Sequence, residues 1–176
     1  MKHLNKVRRF RLVALLFIAI SVSSCATLSE SDLQILKIEP SGLHYENVVP
    51  VEGVNSAQLY DRAMAWMART YHSANTVIQL QDRENKRIIG KGVFVVPFLA
   101  ITIPVQHTIS FEARDGRYKL RFDGLNAVPK TGEPWELSRA QGIQTQIVSA
   151  TEKQIMALAA DLQHSIERVT TEENKW

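Results

Sequence analysis

Cys25 is the only thiol in the 176-residue chain. A thiolate is a strong nucleophile for alkylation, and Ser23, Ser24 and Ala26 around it are small enough to leave the backbone open to an enzyme. The other residues with chemical capacity are scattered. His107 falls on the apolar side of an alternating run, where a lone histidine is ordinarily a core or edge residue rather than a ligand. His44, His72 and His164 show no metal-ligand spacing. Ser110 lies in no nucleophile elbow, and Gly90-Lys91-Gly92 is too short for a phosphate loop. Asp61 reads as a helix-surface residue and Asp115 as a turn residue. The expectation is therefore no catalytic residue, no metal, no cofactor, and one modification site, Cys25. Trp66 reads as a core anchor. Trp135, in a long connection, is the better contact for a ligand or partner, with packing of that connection onto a sheet as the competing reading.

The residues before Cys25 explain its use. Residues 1–11 carry Lys2, Lys6, Arg8, Arg9 and Arg11 and no acid, and residues 12–20, LVALLFIAI, are nine apolar residues in a row. A basic start, a short apolar run and a small-residue exit make an export signal; a membrane span needs about 20 apolar residues. Val22-Ser23-Ser24-Cys25 resembles the lipobox of bacterial lipoproteins, with Val22 where leucine is commonest. The resemblance implies cleavage before Cys25, a diacylglycerol on its sulfur and an acyl chain such as palmitate on the new amino terminus. Two or more chains anchor a protein stably where one does so marginally. An incidental cysteine after an ordinary signal peptide, or an intermolecular disulfide, are the competing readings.

Removing residues 1–24 changes the electrostatics. The chain has 21 basic and 18 acidic residues; the leader holds five of the basic ones, so 16 against 18 remain, a net of −2. The basic isoelectric point belongs mostly to the leader, and bulk charge gives no case for nucleic-acid binding. The mature 152 residues suffice for one domain with its own core. The expected organisation is a removed signal peptide over 1–24, a lipidated tether over 25–42 and a single domain over 43–176. The tether segment 26–42 spans at most roughly 60 Å when extended, with a short strand around Leu33–Ile38 as the alternative.

The domain opens with a strand, HYENVVPVEG, ending near Gly53. Asn55 and Gln58 form a capping box, and Leu59, Ala63, Trp66, Met67 and Tyr71 share one helical face; Asp61, Arg62 and Arg69 fall off it. Residues 76–82 and 87–96 read as strands, with Gly90 and Gly92 marking a bulge or a close approach by another element. Gly92 to Phe111 is 20 residues without a charge. Pro97, Pro104 and the alternation of Ile101, Ile103, Val105, Ile109 and Phe111 with Thr102, Gln106, Thr108 and Ser110 make it strands, with a turn near Pro97-Phe98, rather than a membrane helix. Pro104 points to an edge or a bulge. Asp115-Gly116 is a hairpin turn, followed by Tyr118, Leu120 and Phe122 on one face and Lys119, Arg121 and Asp123 on the other. Residues 124–148 lack a period and form a long connection. A second capping box, Ser149 to Glu152, starts a helix carrying Ile155, Leu158, Ala159, Leu162, Ile166 and Val169 inward to about residue 170, before a polar end.

Gly53, Leu59-Tyr60-Asp61, Trp66, Ile89-Gly90-Lys91-Gly92 and Asp115-Gly116-Arg117-Tyr118 together resemble the domain of unknown function with a TBP-like fold found in bacterial envelope lipoproteins, over roughly residues 45–125. The resemblance implies an α+β domain: a curved antiparallel sheet, one helix after the first strand and a long C-terminal helix packed on one face. It brings no catalytic residue. The expected function is a lipid-anchored cell-envelope protein, in the outer membrane facing the periplasm, since Ala26 is not the aspartate that retains lipoproteins in the inner membrane. Its role is a non-catalytic binding or assembly module, with an envelope hydrolase as the alternative. Its partners are the membrane, through acyl chains on Cys25, and an apolar ligand or protein, with no nucleic acid.

Overall fold

The computed structural model describes residues 28–29, 33–71 and 78–173. The leader, Cys25, His72 and the side chain of Val169 lie outside the described residues. The chain runs β1 (Lys37–Glu39), β2 (Gly42–Pro50), α1 (Ser56–Thr70), β3 (Ile78–Asp82), β4 (Arg87–Phe98), β5 (Ile101–Arg114), β6 (Arg117–Ala127), β7 (Trp135–Glu136) and α2 (Thr145–Glu173). The strands form one antiparallel sheet in the order β1-β2-β6-β5-β4-β3, with β7 paired to the end of β6. Both helices lie on one face, and the fold is the expected TBP-like α+β arrangement.

Alternation puts Ile88, Phe94, Val96, Ile103, Val105, Ile109, Phe111, Tyr118, Leu120 and Phe122 on the helix side. They meet Leu59, Ala63, Trp66 and Met67 of α1 and Ile155, Leu162 and Ile166 of α2. The capping box at Asn55 and Gln58 forms as expected, with Gln58 N donating to Asn55 Oδ1 at 2.9 Å. Asp115 adds what local pattern did not reveal: from the β5–β6 turn it accepts the N–H of Ser56 at 2.7 Å. That bond holds its carboxyl below the usual range and ties the hairpin to the positive end of α1.

The charge-free segment forms β4 and β5, and no helix among the described residues is long and apolar enough to cross a membrane. The turn, however, falls at Leu99-Ala100 rather than Pro97-Phe98, which still pair with Thr102 and Ile101. β3 pairs with β4 only as far as Gly90. Beyond it the outer edge of β4 is unpaired among the described residues, so Pro97 removes no ladder bond there. The turn is made by Leu99 at φ 53°, a left-handed conformation that costs an ordinary residue about 1–2 kcal/mol. Pro104 sits just past the β5–β6 ladder, its carbonyl accepting from Val128 N.

Three further expectations are corrected. Strand β6 continues five residues past Phe122, because a bulge at Gly124 (φ 60°) shifts the register and returns Leu125 and Ala127 to the core. Helix α2 begins at Thr145, so Ser149 is not its cap. Glu152, read as the capping-box partner, is 2% exposed and accepts the N–H groups of Gln34, Ile35 and Leu36 at 2.8, 2.9 and 3.1 Å. The stretch read as a tether is thus part of the body from Leu33 onward: Leu36 is buried and Lys37–Glu39 forms β1.

Glu152→Ala leaves three N–H groups facing the core without their acceptor, and each orphaned donor carries a desolvation penalty. The expected loss is about 3 kcal/mol of unfolding free energy, measured by urea denaturation against the parent chain.

Candidate functional site

The buried polar centre lies where the C-terminus of α1 crosses β4 and β5. Tyr71 ends α1, and its hydroxyl is 2.9 Å from Nε2 of His107 on β5. His107 is 2% exposed and stacked on Phe94 with centroids 4.7 Å apart. Phe122 lies beyond it, and Trp66 meets Tyr71 edge-on. Burial lowers the His107 pKa to about 4, against a small opposing pull from the Val105 carbonyl. Burial pushes the Tyr71 phenol well above its ordinary range. A neutral imidazole accepting the phenol proton on Nε2 carries its own proton on Nδ1, which makes no regular hydrogen bond. Hydrogen-bonded and in ring contact, the pair fixes the position of α1 on the sheet.

Gly92 permits this crossing. A Cβ built on it would lie 2.5 Å from Tyr71 Cε1 and 2.8 Å from His107 Nε2. The close approach expected of a strand glycine is real at this position. Gly90 lies opposite Ile78, beside the irregularity between Ile78 and Leu80.

The opposite face of the sheet carries no helix, and Gly124, at the bulge in β6, presents no side chain beside Thr108. A cleft of about 530 Å³ opens there, lined by Lys91, Val93, Gln106, Thr108 and Asn126, with His107 at its floor. Lys91 pairs across the ladder with Thr108, and Val93 with Gln106, which pairs on with Asn126. The neighbouring cations are matched. Arg87 and Lys119 face Glu112 at 3.5 Å, and Arg121 meets Glu39, Glu46 and Asp123 at 3.1, 3.4 and 2.9 Å. Lys91 has no anion partner among the described residues. Its side chain, two amides and a hydroxyl border the cleft, with Asn126 Nδ2 donating to the Gly124 carbonyl at 2.9 Å.

Residues 45–127 match DUF4468, a domain of unknown function with a TBP-like fold. The chain is similar in structure to a TBP-like protein from Parabacteroides distasonis ATCC 8503, at a TM-score of 0.66 and 11% identity over 74% of this chain and 96% of that one. It is also similar to a DUF4468 family protein from Bacteroides ovatus ATCC 8483, at a TM-score of 0.55 and 13% identity over 72% of this chain and 90% of the other. At such identities the likeness is one of fold. None of the curated proteins compared with the chain matches it.

Within and around the DUF4468 region the remaining residues fall as follows. Asp61 is exposed and paired with Arg83 at 2.8 Å. Trp66 is buried and donates to Asp161 at 2.7 Å. Arg62, placed off the apolar face by pattern, is buried because α2 lies over it, and its guanidinium donates to the Ile166 carbonyl. Trp135 lies in β7 against the core, so the packing reading holds. Ser110 stands on the helix-free face of β5, partly exposed. His44 is buried beside Glu39, and His164 borders an open groove between α1 and α2. No group of three or more His, Cys, Asp or Glu suited to a metal occurs among the described residues. Sequence reasoning missed the cleft: Lys91 was set aside with its glycines, and nothing in the chain pattern shows that Gln106 and Asn126 join it.

Two predictions follow from this geometry. Gly92→Ala forces Tyr71 or His107 to move and destabilises the fold by about 1–3 kcal/mol, read by thermal unfolding. His107 is protonated more readily in the unfolded chain than in the folded one. Its contribution is complete above pH 6.5 and is lost as pH falls toward 4, amounting to about 3 kcal/mol. Stability measured from pH 7 to 4 falls more steeply in the parent than in His107→Phe, which starts lower and loses less.

Proposed function

We propose that the chain is a lipid-anchored cell-envelope protein whose domain is a non-catalytic binding module for an anionic polar ligand or the anionic group of a partner. The single observation that carries the binding role is Lys91: a lysine without an anion partner among the described residues, in a cleft of about 530 Å³ with Gln106, Thr108 and Asn126, on a face whose neighbouring cations are matched. A ligand carboxylate or phosphate completes that set. Binding rather than turnover is supported by where the pair beneath lies: the His107 and Tyr71 side chains are hydrogen-bonded to each other at 2.9 Å on the helix side of the sheet, not in the cleft. The helix side of the sheet is filled by Trp66, Phe111, Tyr118 and Phe122, so the ligand belongs on the open face and not between sheet and helices.

The anchor reading is supported by the basic start, the nine-residue apolar run and the Val22-Ser23-Ser24-Cys25 exit. The periplasmic face of the outer membrane is the location that Ala26 supports.

Protein extracted from cell envelopes has an expected intact mass beginning at Cys25 with two or three acyl chains, and Cys25→Ala yields an unacylated, membrane-free product. In native mass spectrometry the extracted protein carries an anionic ligand that Lys91→Glu loses. A bare Cys25 in the parent, or a ligand retained by the Lys91 variant, overturns the corresponding half of the reading.

A further inference from the structure

The two ends of the sheet have opposite characters. At one end lie the β3–β4 turn, Arg83-Glu84-Asn85-Lys86, and the β5–β6 turn, Asp115-Gly116, flanked by Arg114 and Arg117. At the other end is the β4–β5 turn, Leu99-Ala100, where Leu99 is 73% exposed and Ile101 60%. Leu99 holds this place at φ 53°, a conformation that favours Gly, Asn or Asp. A third apolar side chain joins them: Ile143, 54% exposed, on the 3-10 turn Gly142–Gln144 that leads into α2. Pro97 shares a cleft with Gln146 and Ser149 of the first turns of α2, which brings the hairpin tip and Ile143 to the same end.

The N-terminal segment reaches the body at this end as well. Leu28 N donates to the carbonyl of Ala140 at 3.3 Å, two residues before the Gly142–Gln144 turn. Cys25 is three residues earlier in the chain, and three residues span at most about 11 Å whatever their path. Gln34, Ile35 and Leu36 are fixed to α2 through Glu152, so the body cannot swing away on a long leash. The exposed Arg139, 4.0 Å from a Glu136 carboxylate oxygen, precedes Ala140 at this end.

We propose that this end, Leu99, Ile101 and Ile143, is seated in the lipid interface that holds the acyl chains of Cys25. The inference rests on the anchor reading above. The acyl chains start within reach of the apolar tip, and apolar side chains beside a cation suit a bilayer boundary. The body then stands end-on, its charged turns directed into water and the Lys91 cleft on its flank.

The test uses the full precursor processed in cells, extracted and reconstituted into phosphatidylethanolamine–phosphatidylglycerol vesicles with brominated acyl chains. Leu99→Trp and Ile143→Trp each add one emitter at the tip; Arg117→Trp adds one at the far end. Intact mass is recorded on the same samples. The expected result is acylated protein in which the emission added at 99 and 143 is lost to bromine quenching and that added at 117 is kept. Acylated protein with emission at 99 and 143 unquenched overturns the seating alone. Protein without acyl chains overturns the anchor reading, and the seating with it.

Discussion

One carboxylate decides where the chain meets its own body. Glu152 projects from α2 into a nest of three consecutive N–H groups at Gln34, Ile35 and Leu36. Those donors belong to a segment with no strand partner of its own, and buried N–H groups demand an acceptor. A single neutral acceptor would serve them poorly; an anion serves all three at once. The contact sets the start of β1 and therefore the β1–β2 hairpin, and it presses Leu36 into the core beneath α2. It also converts a stretch composed like a linker into a rigid lead.

The second constraint is the crossing of α1 over the sheet. Helix and strand approach closely only where a side chain is missing, and Gly92 supplies that gap under Tyr71 and His107. The aromatic cluster of Trp66, Tyr71, Phe94, His107 and Phe122 closes the helix side. The cleft on the other face does not come from that gap: it opens where Gly124, at the bulge in β6, leaves no side chain beside Thr108. Each face thus has its own glycine.

Local pattern made the elements readable because each obeys a short-range rule. The Asn55 capping box, the Asp115-Gly116 turn, the alternation of β5 and the apolar face of α2 need no knowledge of what lies opposite. The failures are all long-range. Glu152 has the spacing of a capping-box partner, and only the distant segment 34–36 claims it instead. The bulge at Gly124 inverts the alternation of β6, so a period-two reading stops at Phe122 although the strand continues. Pro97 seems to end a strand until β3 is found to stop at Gly90. At the site, His107 on the apolar side and a close approach at a strand glycine were both legible. Its partner Tyr71 was legible only as a core residue, and the meeting of Lys91, Gln106 and Asn126 depends on register across three strands.

The open face of the sheet holds both cations and carboxylates, and their pairing bears on what it could take up. A polyanion is held by cations that give up counterions along a continuous track. Here Arg87, Lys119 and Arg121 are occupied by Glu112, Glu39, Glu46 and Asp123 from the same face. Those carboxylates would repel a phosphate backbone laid across the strands. The cations left over are separated: Lys91 stands in its cleft, and Arg114 and Arg117 flank the far turn. On the binding role proposed above, such a surface would offer a compact anionic group one place to sit rather than a continuous track.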